Sequence, residues 1–352
     1  MTFLGSGVSF KEKFFFTKHL SLMLKSGIPI TEILSTLATQ AKGKPFRETL
    51  LQVAEDVSRG QSLNKALGKH PRVFSLFYRS LVEVGEKSGT LEESLFYLVE
   101  QMEKERELQQ KVQSAMLYPG IVLTATGVIG FAIAFFILPQ IVTLFESFDV
   151  ELPLTTVILI FVAHALQDWG LIILPGAVVF LIALAFLLNT PAVKPRWHAL
   201  ILRFPIFGYF FQNVALATLT RNLGIMLKSG LPITSALATS AEVEGNLVYK
   251  RELLKISEEV QKGKSIEAIL LEQKFREFPI FMVRMVGVGE KSGNLEENLA
   301  YLGDYFEDEV DTIANNLAVI LEPALLLFIG GVVAFVALSI ISPIYSITGS
   351  IR

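Results

Sequence analysis

The chain has 352 residues, 51% of them hydrophobic and only 18% charged, with a net charge of −3 and a mean hydropathy of +0.50. Soluble domains carry about 25% charged residues, so an ordinary soluble globular protein is excluded, and the apolar content excludes disorder. Cysteine is absent, which removes disulfide scaffolds, thiolate metal sites and thiol catalysis, and the balance of charge gives no drive toward nucleic acid.

The charge falls in blocks along the chain. Residues 1–118 hold sixteen Lys/Arg and thirteen Asp/Glu, whereas residues 119–193 hold no Lys or Arg and four acidic residues. Residues 194–316 are charged again, and residues 317–351 carry only Glu322. A bilayer core takes about 20 apolar helical residues. The dry blocks therefore predict three transmembrane helices, at 118–145, 169–190 and 317–347, the last with its entry segment. Between the first two, residues 146–168 read as an external loop. Within it, 154–167 is too short to span and reads as a separate interfacial helix. That loop has no Lys or Arg, whereas Lys194, Arg196 and Arg203 follow the second span. The positive-inside rule puts the loop outside and the charged blocks in the cytoplasm. No apolar stretch near the N-terminus reads as a cleavable signal.

The two charged blocks repeat one another. Residues 17–31 (TKHLSLMLKSGIPIT) match 220–234 (TRNLGIMLKSGLPIT) at ten of fifteen positions, and 84–95 (VGEKSGTLEESL) match 288–299 (VGEKSGNLEENL) at ten of twelve. The offsets are 203 and 204, and Tyr118-Pro119 falls opposite Glu322-Pro323. Two copies of one domain face one solvent, so the unmatched span at 169–190 returns the chain between them. The N-terminus is then cytoplasmic and the C-terminus external. The organisation reads as an N-terminal segment 1–13, a first cytoplasmic repeat 14–117, a second at 191–316, and an external tail 348–352.

Apolar spacing is helical throughout and no strand pattern competes. The fold class is an all-α integral membrane protein: two antiparallel helix bundles plus three transmembrane helices. The repeated motifs sit at turns. Gly27 suits the left-handed position past a helix end, Lys25 complements the helix dipole, and Pro29 suits the first turn of the next helix. Lys228, Gly230 and Pro232 repeat this pattern. Gly89 ends another helix, with Thr90 and Glu93 reading as a capping box; Gly293, Asn294 and Glu297 match. Gly85, Glu86 and Lys87 recur as Gly289, Glu290 and Lys291. Turn chemistry alone and an added contact with a partner both fit these identities.

Enzymatic chemistry is thin. Gly263-Lys264-Ser265 looks like the tail of a P-loop, but Glu258 stands where the first glycine belongs, and Ser265, like Ser62, reads as a helix N-cap. No His, Asp or Glu set has metal-ligand spacing. The acidic run Glu307–Asp311 fits a divalent-ion site, but a solvated helix face is the default reading. No catalytic, metal or cofactor site is expected. Glu322, at the edge of a span, fits either a kink shared with Tyr118-Pro119 or a grip on a partner's charge. An oligomeric transporter or another polytopic scaffold is the competing reading, but the spans hold few polar residues to line a path.

These residues together resemble the type II secretion system F domain family, the inner-membrane platform proteins of type IV pilus assembly and type II secretion. The resemblance is carried by the doubled KSG-x-P turn, the doubled VGEKSG, the Tyr-Pro and Glu-Pro at span entries and the intervening return span. It runs from about Phe14 to Ile347. Many secretion-branch members carry an extra N-terminal segment, and only about a dozen residues precede the first repeat here. The resemblance implies a non-enzymatic, inner-membrane, homo-oligomeric protein, a dimer or larger, in contact with membrane lipid. Its partners would be a hexameric assembly ATPase, pilin or pseudopilins and other inner-membrane assembly components. It assigns partner contacts to the turn clusters around Lys25–Pro29, Gly85–Gly89 and their second copies, and pilin handling to Tyr118, Pro119, Glu322 and Pro323.

Overall fold

The computed structural model describes residues 7–137, 154–204 and 207–350, and every regular element among them is helical. The chain divides into two compact units, Met1–Gln110 with Pro195–Asp311, and Lys111–Lys194 with Thr312–Arg352.

The first unit contains both repeats. The first repeat is built from α1 (Phe10–Lys25), α2 (Ile30–Gln40), α3 (Lys44–Ser58), α4 (Leu63–Gly68), α5 (Leu76–Ser88) and the start of α6 (Leu91–Ala132). A second long helix, α7 (Leu154–Leu188), and a short one, α8 (Lys194–Arg203), follow. The second repeat returns the same series as α9 (Phe207–Lys228), α10 (Ile233–Val243), α11 (Leu247–Gln261), α12 (Ile266–Gln273), α13 (Ile280–Ser292) and α14 (Leu295–Ser350). The amphipathic spacing of α2 buries Ile33, Leu34, Leu37 and Ala38, and α5 buries Phe77, Leu81 and Val82. Phe16, Phe46, Phe74 and Tyr78 form an aromatic centre in the first repeat, and Tyr249 packs edge-on to Phe278 in the second.

Glycine punctuates both copies. Gly27, Gly89, Gly230 and Gly293 follow helix ends with φ of +76°, +75°, +89° and +76°, where a side chain would be strained. Pro29 and Pro232 stand one place earlier than expected. Each is the N-cap, with ψ of 137° and 142°, so the helices begin at Ile30 and Ile233. Thr90 turns its hydroxyl to Ser88 Oγ, 2.6 Å away. The capping box that does form is elsewhere: Ser9 accepts from the Glu12 N–H, and the Glu12 carboxylate accepts from Ser9 N–H and also from Gly43 N–H. One carboxylate thus fixes the starts of α1 and α3. Those hydrogen bonds, the one from Ser9 N–H foremost, hold it below the ordinary carboxylate pKa.

The second unit carries the apolar segments. The expected interfacial helix at 154–167 and the span after it are one continuous helix, α7, of 35 residues. His164, Gln167 and Asp168 look like a boundary in the sequence, but none of them is a helix breaker. Pro175, the residue that removes a ladder hydrogen bond, lies further along inside the same helix. The helix is also unbroken across 118, where the first repeat was expected to end, and α14 likewise runs through 317. α6 passes at Ile133–Ile137 into a π-helical turn, beside which α7 packs. Thr156 Oγ1 donates 2.8 Å to the Ser339 carbonyl, tying α7 to α14.

Candidate functional site

The doubled VGEKSG segment ends α5 and α13, and each of its fixed residues has a local task. The Glu86 carboxylate turns back to the start of α4, accepting from Leu63 N–H at 2.5 Å and Asn64 N–H at 2.8 Å. Glu290 does the same at α12, accepting from Ile266 N–H at 2.6 Å and Glu267 N–H at 2.9 Å. The first N–H groups of a helix have no partner within it, and the dipole favours a negative charge there. A bidentate carboxylate delivered from a helix more than twenty residues downstream meets both needs. This is why both copies need a glutamate.

The glycine before it is also structural. A Cβ on Gly85 would lie 2.8 Å from Leu91 Cα, and one on Gly289 would lie 2.9 Å from Leu295 Cα. Only a missing side chain lets α5 approach α6, and α13 approach α14, so closely. The serines bond carbonyls of their own helices, Ser88 to Val84 and Ser292 to Gly289. The lysines diverge: Lys87 pairs with Glu83, whereas Lys291 reaches Glu267 at 2.7 Å, which also takes Arg284 at 2.9 Å. Lys291 and then Arg284 hold the Glu267 carboxyl below its ordinary pKa.

The GKS turn at 263–265 resolves on the same geometry. Gly263 has φ of +88° and Ser265 accepts from Ala268 N–H as the N-cap. Lys264 is held by Glu259 and Glu272, and the helix N-terminus where a phosphate would sit holds Glu290. Ser62 occupies the N-cap position in the first copy.

The two repeats meet within the first unit, and the second KSG-x-P turn lies at that meeting. The Lys228 ammonium stands 4.8 Å over the Tyr97 ring. Gln101 donates 2.7 Å to Asn222 Oδ1 in a buried contact, and α10 packs along α5. The equivalent first-copy turn, Lys25 to Pro29, is at the surface except for half-buried Ile28. So the turn residues Lys228 and Gly230 face the first repeat and Pro232 is exposed, while Lys25, Gly27 and Pro29 are exposed in the first copy.

An ion pair at equivalent positions differs sharply in burial. Arg221 Nη2 lies 2.5 Å from Glu307 and 3.0 Å from Asp304, and the Arg221 and Glu307 side chains are only 10% and 5% exposed. In the first copy Lys18 and Glu103 form the same pair, about half exposed. The acidic run is therefore divided, with Glu307 taken by Arg221 and Glu309 accepting from the Tyr209 hydroxyl. No cluster of three His, Asp or Glu residues with metal-binding geometry occurs among the described residues. His198 accepts from Leu247 N–H at the start of α11, and His19 lies beside Phe15. Burial, reinforced by Glu277, pushes the Glu252 carboxyl up to about 8. The side chains of Tyr118, Pro119 and Glu322 lie outside the described residues; Pro323 is exposed on α14.

Sequence reasoning missed three of these features. The Ser9-x-x-Glu12 pattern before a Phe-rich run is a visible capping-box signature. The Arg221–Glu307 pair sits at repeat offsets but outside the identical blocks. The role of Glu86 and Glu290 has no local signal, because their targets are remote in the chain.

The family model described as type II secretion system (T2SS), protein F, matches residues 16–139 and 219–343, one stretch for each copy. The type IV pilus assembly protein PilC of Myxococcus xanthus is 33% identical over 347 residues, covering 98% of this chain and 82% of that protein. PilC of Thermus thermophilus is 33% identical over 348 residues, 99% and 85%. The type II secretion system protein F of Vibrio cholerae is 31% identical over 339 residues, 96% and 83%. With the family matched twice, across most of its length, the chain belongs to the type II secretion system protein F family.

Proposed function

We propose that this chain is the inner-membrane platform protein of a type IV pilus assembly or type II secretion system, without catalytic activity of its own. The observation that carries the non-catalytic reading is Glu290. The one turn with P-loop character is closed by that carboxylate, so the work of moving subunits must come from a nucleotide-hydrolysing partner. Family relatives named for both systems match nearly the whole chain, which supports the platform role for either.

The chain crosses the membrane three times, at 118–145, 169–190 and 317–347, with the repeats cytoplasmic and the C-terminus outside. Support comes from the charge blocks and from α6, which is long and apolar enough to cross, with its apolar window unburied. The large apolar residues exposed on α7 and α14, among them Phe161, Phe186 and Leu327, fit lipid contact. The last helix of each repeat continues in sequence from the first unit into the second, and a hexameric ATPase would act on the repeats. Of the turn residues, the exposed Lys25, Gly27, Pro29, Lys87, Gly89, Pro232, Lys291 and Gly293 are open to partners. Tyr118, Pro119, Glu322 and Pro323 are proposed to handle pilin or pseudopilin helices at the span entries.

The test is deletion and topology together. A deletion strain loses surface fibres or secretion and regains them with the full chain; a strain that still assembles fibres overturns the proposal. Because the chain is free of cysteine, Asp149→Cys labels from outside intact inner-membrane-oriented cells, while Lys42→Cys labels only after permeabilisation; the reverse pattern overturns the topology.

A further inference from the structure

The contact between the two repeats is head-to-tail. The second repeat presents its KSG-x-P turn and the face of α9 and α10; the first presents α5 and the start of α6. Because the repeats share one sequence pattern, each also possesses the face that its neighbour uses. The first repeat has its own turn face, and the second has its own α13–α14 face. Within the first unit, neither is covered at the described positions compared below.

At the rim of the contact the residue types on these two faces match those already paired, whereas the buried Gln101–Asn222 pair has Tyr305 and His19 as its counterparts. Lys228 over Tyr97 corresponds by repeat offset to Lys25 and Tyr301. Lys25 is exposed and Tyr301 is 54% exposed. Gly230 approaches Val84, a Cβ there lying 4.0 Å from Val84 Cγ1. Its counterparts are Gly27, with no atom within 4 Å of an added Cβ, and Val288, which is 56% exposed. Leu22, the counterpart of half-buried Ile225, is 62% exposed. Isolated apolar side chains at a surface are ordinary; here they occupy the positions of a contact the same fold already makes.

We infer that the vacant turn face of the first repeat docks on the vacant α13–α14 face of the second repeat in another copy of this chain, by the contact the two repeats make internally. A heterologous contact either closes into a ring or propagates. The smallest assembly that leaves no such face vacant is a pair of chains, with four repeats in a ring. A two-fold contact of like with like would instead put Lys25 beside Lys25. The inference uses only residues of the first unit and does not depend on the role proposed above.

The experiment is site-specific crosslinking of the full chain in inner-membrane vesicles, on its natural cysteine-free background. Two differently tagged copies are co-expressed, one with Lys25→Cys and the other with Tyr301→Cys, and treated with a short bis-maleimide. A chain carrying Tyr97→Cys and Lys228→Cys together serves as the internal pair and calibrates the reagent's reach. The expected result is a mixed-tag product of twice the chain's mass in the co-expressed pair, and none with either single variant alone. Tyr301→Arg in place of Tyr301→Cys, probed by a neighbouring cysteine at Val288, should abolish that product while the internal pair still reacts. The inference is overturned if the mixed pair gives no chain–chain product while the internal pair does. It is equally overturned if Lys25→Cys alone dimerises as well as the mixture, or if Lys25→Cys captures only a different protein.

Discussion

Replacing Glu290 with alanine removes the carboxylate that holds the start of α12. Two backbone N–H groups, at Ile266 and Glu267, lose their acceptor, and the contact lies in a half-buried setting. Hydrogen bonds to a charged group contribute about 1.5–3 kcal/mol each and loss of an N-cap costs about 1 kcal/mol. Ser265 still caps the Ala268 N–H, so the loss is partial. The expected cost is about 2–4 kcal/mol, a fall in thermal midpoint of roughly 5–15 °C for a unit of this size. Glu290→Gln keeps one acceptor oxygen and should lose about half as much. Glu86→Ala should cost at least as much, because the same two bonds reach Leu63 and Asn64 and Ser62 makes no side-chain cap bond of its own. Thermal unfolding of the detergent-solubilised chain reads the midpoint, and hydrogen exchange reads protection at the Ile266 and Glu267 amides. If Glu290→Ala keeps its midpoint and amide protection yet abolishes fibre assembly, the glutamate serves a partner and the reasoning is wrong.

Arg221→Ala removes the nearest cation from the buried Glu307 carboxylate, leaving Lys104 at 4.0 Å, and should cost up to about 3–5 kcal/mol, whereas Lys18→Ala, at the exposed equivalent, should cost less than about 1 kcal/mol; denaturant melts of the two variants compare them directly. Gly85→Ala forces backbone apart at Leu91 and should cost about 1–3 kcal/mol, more than Gly89→Ala, which meets open space and bears only the strain of its positive φ, about 1 kcal/mol. Equal midpoints for those two would contradict the close-approach role. The Glu252 carboxyl is raised by burial, so the folded chain binds its proton more tightly than the unfolded chain. Its contribution is complete below about 4.5 and is lost as pH rises through about 8, at up to about 1.4 kcal/mol per pH unit. Glu252→Gln should flatten the decline of stability over that window, and an unchanged slope would refute the assignment.

The repeat, its helical character and its turn glycines were legible because identity between copies and positive-φ positions leave direct marks in the residues. The division of α7 was misread because His164, Gln167 and Asp168 interrupt hydropathy without interrupting a helix. Glu86 and Glu290 were visible as identities, but their purpose lies in backbone groups that carry no side-chain signature. The inequality between the turns at Lys25 and Lys228 could not be read at all, since the two segments are nearly the same sequence. It arises only when one copy packs against the other. Lys18–Glu103 and Arg221–Glu307 occupy equivalent places, yet burial separates them, and burial depends on that same asymmetric packing.

The most direct measurement of the platform role is co-isolation of the tagged full chain from crosslinked inner membranes of fibre-producing cells. The expected result is recovery of the assembly ATPase through the repeats and of pilin or pseudopilin through the span entries, with the pilin product lost in Glu322→Ala and the ATPase product retained. Recovery of neither partner, from cells whose fibres still assemble when the chain is deleted, would contradict the platform role.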